Sequence, residues 1–324
     1  MNRLLLLVVC MFLSACGTVT PETLPTRARL PTLTPTLAPS ITPTLTATAS
    51  ITATITPTHS STATMTRIIE ASPTNTITTT PRPIPTMTAT PLPETFIFGQ
   101  SVQGRDLVAY RYGVGRLVIM IIGGIHAGFE TNTIELVSQL QNHFLNNRSQ
   151  VASDVTFIIV PSLNPDGEAR GRILEGRFNG NGVDLNRNWD CGWSADAQFG
   201  QGFVDAGDTA FSEPESTALG SLIQRVQPQA VIFYHAAANG VFAGDCGDNS
   251  ADSETLGELY GEASGYPYGS DFDAYPVTGT APGWVDSIGI PALDVELASA
   301  DLPEFERNLR AILAVQDWVI ENNR

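Results

Sequence analysis

Apolar runs broken by glycine, proline and polar turns set the pattern of residues 96–324. Leu117–Ile122 is unbroken and β-branched, and Gly123-Gly124 ends it; Val155–Val160 closes at Pro161; Ala230–Tyr234 runs straight into His235; Ala292–Leu297 forms a last run. Runs of this length and composition read as buried strands. Between them the period changes. Ile134, Val137, Leu140 and Phe144 follow a helical spacing behind Thr131 or Asn132 as cap. Ser212-Glu213-Pro214-Glu215 reads as a capping box that opens a helix through about Val226, and further helical patterns lie near 252–264 and 303–322. Thr95–Phe98 and Leu107–Tyr112, joined across Gln103-Gly104-Arg105, predict an opening hairpin. Strands alternating with helices imply an α/β sheet covered on both faces, and no internal repeat is visible.

The pattern stops before residue 96. Residues 1–16 combine Arg3, an apolar stretch from Leu4 to Leu13 and small residues, as a secretory signal does. Leu13-Ser14-Ala15-Cys16 resembles the lipobox of bacterial lipoproteins, which implies cleavage before Cys16 and a lipid on its sulfur; an ordinary secretory signal is the alternative. Of the 78 residues from 18 to 95, 27 are Thr and 13 are Pro. Such a segment buries too little apolar surface to offset its ordering entropy. Residues 17–95 therefore predict a disordered linker, an extended stalk reaching on the order of 200 Å. These features place the folded part outside the cytoplasm, as a membrane-anchored cell-surface lipoprotein.

Residues 96–324 carry 12 Arg and 30 acids, a difference of −18, and the chain has no lysine. So acidic a domain lacks the basic surface that nucleic-acid binding requires. It is equally unsuited to dock on anionic lipid, which leaves Cys16 to supply the membrane attachment. Beyond the signal only Cys191 and Cys246 remain, and outside the cytosol a lone pair favours a disulfide over two free thiols.

Candidate chemistry gathers at the strand ends. The domain has three histidines, and His143 falls on the amphipathic helix as a surface or edge residue. His126 leaves the Leu117–Ile122 strand through the glycine turn, with Glu130 four residues on, and His235 ends another strand. The carboxyl edge of an α/β sheet is where ligand sites form. Two histidines and a glutamate are also a donor set for one catalytic Zn2+. The segment 162–210 is a long Gly/Asn-rich loop, of a length that usually signals function or disorder.

Nearly all of 96–324 resembles the zinc metallocarboxypeptidases of the carboxypeptidase A type. The resemblance rests on His126 and Glu130, Asn164-Pro165-Asp166-Gly167, Gly182-Val183-Asp184-Leu185-Asn186-Arg187-Asn188-Trp189, His235 and Glu296-Leu297, in that order. It implies a three-layer fold with a mixed β-sheet between helices, and an enzyme that hydrolyses C-terminal peptide bonds. It also implies roles. His126, Glu130 and His235 would hold zinc, with Asp184 orienting the His126 ring. Glu296 would be the general base; Asn186 and Arg187 would hold the substrate's free terminal carboxylate; Tyr275 would close over it. An arginine that polarises the scissile carbonyl is expected among Arg170, Arg172 and Arg177, with Arg177 favoured by its Gly-Arg-Phe-Asn context. Two positions depart from the family pattern. Three residues, not two, separate His126 from Glu130, and the position two before Trp284, where the family sets side-chain preference, is Pro282. Two other readings share these motifs: an amidopeptidase acting on cell-wall muropeptides, and a tethered binding module that keeps the fold. The oligomeric state is open, with a monomer as the expectation.

Overall fold

The computed structural model describes residues 94–247, 251–269 and 271–324. The leader, Cys16 and the Thr/Pro-rich stretch through residue 93 lie outside the described residues. Among those described, no helix is long and apolar enough to cross a membrane.

β1 (Thr95–Gln100) and β2 (Asp106–Gly113) form the antiparallel hairpin, and β3 (Leu117–Ile122) follows. α1 (Thr131–Asn146) returns the chain to β4 (Val155–Val160), and α2 (Pro165–Arg170) begins the long excursion. That excursion contains a two-residue ribbon, β5 (Gln198–Phe199) and β6 (Gly202–Phe203), before α3 (Pro214–Val226). β7 (Ala230–Ala236), β8 (Gly240–Ala243), α4 (Ser253–Ser264), α5 (Ala281–Ser287), β9 (Ala292–Leu297) and α6 (Phe305–Asn322) complete the fold.

Seven strands form one sheet in the order β1-β2-β4-β3-β7-β9-β8. The four inner strands β4, β3, β7 and β9 are parallel, and antiparallel strands close both edges. The sheet is therefore mixed, with apolar cores on both faces. One core packs Leu140 and Phe144 of α1, Tyr260 of α4 and Ile312 and Val315 of α6 against Ile119, Phe157 and Ile232. The other packs Leu219 and Ile223 of α3, Trp284 of α5 and Trp189 against Met120, Ile158 and Phe233. Inner strands buried on both faces explain the nearly continuous apolar runs.

Two helix starts differ from expectation for the same reason: the side chains needed as caps are used elsewhere. Glu130 itself occupies the position before α1 and makes no side-chain cap bond. Asn132 instead donates to the carbonyls of Ser299 and Leu302, at 2.8 and 3.2 Å. The capping box at Ser212–Glu215 does not form. Glu213 sits at the cap position of α3 without a cap bond, and Glu215 accepts from the Val102 N–H at 3.0 Å and from Asn179 at 3.1 Å.

The 162–210 segment is ordered by long-range polar contacts. Buried Asn188 donates to the carbonyls of Ala206 (2.7 Å) and Thr209 (3.0 Å), and accepts from the Glu213 N–H at 3.1 Å. Cys191 and Cys246 are disulfide-bonded, with Cα atoms 5.8 Å apart across 55 residues of sequence.

Candidate active site

β3 lies between β4 and β7, so the chain leaves the sheet in opposite directions at their carboxyl ends. That crevice is where a doubly wound sheet opens to ligands. A cavity of about 390 Å3 fills it. Its wall includes His126, Glu130, Arg177, Asn186, Arg187, His235, Tyr275 and Glu296. Asp184 lies behind His126, fully buried.

His126 and His235 turn their Nδ1 atoms toward each other at 3.2 Å. Glu130 completes the group: Oε1 is 2.8 Å from His126 Nδ1, and Oε2 is 3.6 Å from His235 Nδ1. The extra residue between His126 and Glu130 is absorbed in a tight turn. The Phe129 N–H donates to the His126 carbonyl at 3.0 Å, the Glu130 N–H donates to the Ala127 carbonyl at 3.1 Å, and Ala127 takes a positive φ of 20°. The lengthened spacing thus still delivers Glu130 to the histidines.

The far nitrogens face carboxylates. His126 Nε2 lies 3.2 Å from Asp184 Oδ1, and His235 Nε2 lies 3.0 Å from Asp294 Oδ1. Burial alone would raise the Glu130 carboxyl, but His126 and His235 outweigh it and hold Glu130 far below the usual carboxylate range. Asp184 is likewise held low against its burial by Arg177 and His126. Burial would lower His235, yet Asp294 and then Glu130 carry it well above the ordinary histidine value.

Of the three candidate arginines, only Arg177 enters this wall. Its Nε donates to Asp184 Oδ2 at 2.8 Å, and Nη1 stands 3.4 Å from Glu130 Oε1. Arg170 is spent on the carbonyls of Glu175, Phe178 and Asn179. Arg172 binds the Ala300 carbonyl and Asp301 at the surface.

Asp184 accepts from the Asn186 N–H at 3.0 Å and so caps the turn Leu185–Arg187 that carries the next two side chains. Asn186 Oδ1 accepts from the Ala281 N–H at 2.8 Å. Arg187 is braced through Nε on the Gln198 carbonyl (3.1 Å) and Nη1 on the Asn186 carbonyl (2.7 Å). Tyr275 packs edge-on to Phe272 and Phe199, with ring centroids 4.9 and 6.0 Å away. Burial pushes its hydroxyl above the ordinary tyrosine value.

Glu296 stands opposite His235 on the adjacent parallel strand, on the same face of the sheet. Its Oε2 accepts from the Ala238 N–H at 3.1 Å, and burial raises the carboxyl above the ordinary glutamate range. A carboxylate whose proton affinity is raised is suited to taking and returning a proton near neutrality.

Pro282 does not line the cavity. It is buried in α5, and the neighbouring wall position is Thr280. The acid in that region is Asp294, which sequence reasoning missed. Only the strand register shows that an acid two residues before Glu296 shares its face and reaches His235.

Residues 89–306 match the zinc carboxypeptidase family. The chain belongs to this family. It is similar to murein peptide amidase A of Vibrio campbellii, 31% identical over 231 residues that cover 67% of this chain and 85% of that protein. Zinc carboxypeptidase A 1 of Drosophila melanogaster is 24% identical over 223 residues, covering 57% and 51% of the two chains. Among solved structures, bovine thrombin-activatable fibrinolysis inhibitor shares the fold, with a TM-score of 0.60 and 21% identity over 71% of this chain and 90% of that one.

Membership makes the chain a zinc metallopeptidase, and its residues fit the ion. Two imidazole nitrogens and one carboxylate oxygen, all buried, lie within 4.8 Å of one another. This is the His₂Glu donor set of catalytic zinc, which leaves a position free for chemistry. Asp184, 3.2 Å behind the His126 ring, favours the proton on Nε2 of that ring and the lone pair on Nδ1.

Proposed function

We propose that this metallopeptidase removes single residues from the free C-terminus of peptides. The observation that carries the reading is the position of Asn186 and Arg187 on the same cavity wall as His126, Glu130, His235 and Glu296. A guanidinium offers a rigid fork for a carboxylate, and Asn186 adds a neutral donor beside it. A peptide held there by its terminal carboxylate presents its last amide to the histidines. Tyr275 covers the bound residue from the solvent side.

The zinc ion, when bound, supplies Lewis-acid polarisation of the attacking water and of the scissile carbonyl. Glu296 takes the proton of that water as it adds to the carbonyl carbon. Arg177 stabilises the charge that grows on the carbonyl oxygen. The carbon–nitrogen bond then breaks, and Glu296 returns the proton to the leaving amine, so the base ends as it began. Asp184 keeps the His126 ring in place throughout.

A second reading is favoured by similarity to murein peptide amidase A over most of both chains: the amide cleaved belongs to a cell-wall muropeptide. The same clamp and base serve either substrate. We place the enzyme outside the cytoplasm, tethered as a monomer through lipid on Cys16, from the signal-like start and the lipobox resemblance. Fatty-acid labelling that persists in C16A would refute the tether.

The deciding experiment incubates the zinc-loaded chain with peptides bearing free or amidated C-termini and with purified muropeptides, followed by mass. Loss of single residues from free C-termini alone supports the leading reading. Cleavage of muropeptides alone supports the second, and zinc binding without cleavage of either leaves a tethered binding module.

A further inference from the structure

The two-residue strand β5 sets both arginines of the cavity. The Gln198 carbonyl braces Arg187 Nε at 3.1 Å, and the neighbouring Phe199 lays its ring over the Arg177 guanidinium, whose Cζ is 3.9 Å from the ring centroid. β5 is held in turn by β6, with Phe199 paired to Gly202, and by the Val204 N–H, which donates to the Ala197 carbonyl at 2.9 Å. Phe199 also packs edge-on against Phe129, the residue before Glu130, at 5.8 Å and against Tyr275 at 6.0 Å. One ring thus adjoins the metal-ligand turn, the arginine and the capping tyrosine.

Arg177 is buried, and its bonds to Asp184 run along one edge of the guanidinium. Nε and Nη2 both lie 2.8 Å from Asp184 Oδ2. That leaves Nη1 on the side of the metal donors, 3.1 Å from His126 Nδ1 and 3.4 Å from Glu130 Oε1. An edge held at a single oxygen can still swing about that oxygen, and a ring lying on the face stops the swing. Phenylalanine does this without consuming a donor, because its negative face attracts the cation and leaves the in-plane N–H groups free. A carboxylate or amide at position 199 would draw Nη1 away from the carbonyl oxygen. An aliphatic side chain would fill the space without fixing the plane.

We propose that Phe199 is a positioning residue for the hydrolytic step: it holds the plane of Arg177 so that Nη1 meets the oxygen on which charge develops. The proposal rests on the role given to Arg177 above, which is the same for C-terminal peptides and for muropeptides. A preorganised donor works only as well as it is aimed, and the charge it meets exists only in the transition state. Loss of the ring is therefore read in kcat, whereas support of Tyr275 alone would be read in KM.

The test uses the zinc-loaded full chain and whichever peptide or muropeptide it hydrolyses. F199L keeps an apolar side chain and removes the ring; F199Y keeps the ring. F199L should lose about 10- to 100-fold in kcat with zinc content and KM little changed, less than the roughly 100- to 1,000-fold expected of R177A, and F199Y should recover most of the loss. Affinity for a phosphonate analogue, whose tetrahedral phosphorus replaces the scissile carbonyl, should fall by the same factor as kcat/KM, while affinity for the cleaved product stays as it is. Phosphonate binding reads the stack even without turnover. In the R177A background F199L should cost less than about twofold. A full F199L loss on top of R177A, a rise in KM at unchanged kcat, or F199Y no better than F199L would overturn the proposal. So would wild-type kcat in F199L beside a crippled R177A. Wild-type turnover in R177A would remove the arginine's own role, and the proposal with it.

Discussion

His126 and His235 bring their Nδ1 atoms to 3.2 Å of each other while each Nε2 lies beside an aspartate, Asp184 at 3.2 Å and Asp294 at 3.0 Å. Both rings are buried, as is Glu130 between them. Three polar groups so placed are best satisfied by a cation. Stripping the protein with a chelator is therefore expected to abolish hydrolysis and lower the melting temperature, and stoichiometric zinc to restore both. At free zinc about 1,000-fold above Kd, linkage predicts about 4 kcal/mol of added stability. Calorimetric scans of the stripped and reloaded protein check this, and identical midpoints would contradict it.

In the proposed mechanism Asp184 acts on zinc only through His126, whose Nε2 it faces at 3.2 Å. It also accepts from Arg177 Nε at 2.8 Å and from the Asn186 N–H at 3.0 Å, so one carboxylate ties the metal ligand to the clamp. D184N keeps the shape but removes the charge that holds the His126 tautomer. Partners of this kind contribute about 10- to 100-fold to metal affinity. Competition with a chromophoric chelator should show a loss in that range, and an unchanged Kd would reduce Asp184 to a structural role.

Glu296 is the side chain assigned to proton transfer. E296Q preserves the volume and an acceptor oxygen for the Ala238 N–H, yet cannot take a proton. The variant should bind one zinc as the wild type does and lose about 100- to 10,000-fold in kcat. Metal analysis beside single-turnover kinetics separates the two effects. Retained turnover would remove Glu296 from the mechanism.

Much of this architecture was legible in the sequence because burial writes itself into strand composition. The inner strands β3, β4, β7 and β9 appear as apolar runs at their observed places. His126 and His235 stood out by ending such runs. What stayed illegible depends on contacts distant in sequence. α5 is only seven residues, opens with Ala281-Pro282-Gly283, and is held by a Thr280 cap and its packing rather than by helical periodicity. β8 has four residues and exists because it pairs with β9. The capping-box pattern misled because Glu215 is drawn toward Val102 and Asn179, groups more than 30 residues away. Asp294 looked like any acid in a strand until register set it beside His235.

Glu215 also sets a pH dependence remote from the metal group. Burial pushes its carboxyl above the ordinary glutamate value, against the hydrogen bonds from Asn179 and the Val102 N–H that pull it down, and Asp166 adds to the rise. The folded chain thus keeps this proton to a higher pH than the unfolded chain does. Between the ordinary value and the raised one the native state binds more protons, so this group's contribution to stability falls as pH rises and is constant above. E215Q has no such limb. Denaturant titrations of both proteins from about pH 4 to about pH 7 should show the variant gaining on wild type as pH increases. A constant difference between them would mean that Glu215 titrates normally in the fold.

Gly128 is the residue that lets a three-residue spacer carry Glu130 back to His126. A Cβ placed on it would fall 2.3 Å from the Gly167 carbonyl oxygen and 2.5 Å from that of Gly171. Both obstacles are backbone, so rotamer adjustment cannot relieve them; the turn itself has to move. Because His126 and Glu130 flank this turn, G128A is expected to separate the metal ligands and weaken zinc binding by tenfold or more, beyond the roughly 1–3 kcal/mol that overpacking costs. Gly104 is the control: it has a φ of 76° in the hairpin turn, and a Cβ there meets nothing within 4 Å. G104A should cost about 1 kcal/mol of stability through its backbone conformation and leave zinc affinity unchanged. If G128A also binds zinc as the wild type does, the turn relaxes without moving its ends, and the longer spacing is tolerated for a reason other than the glycine contact.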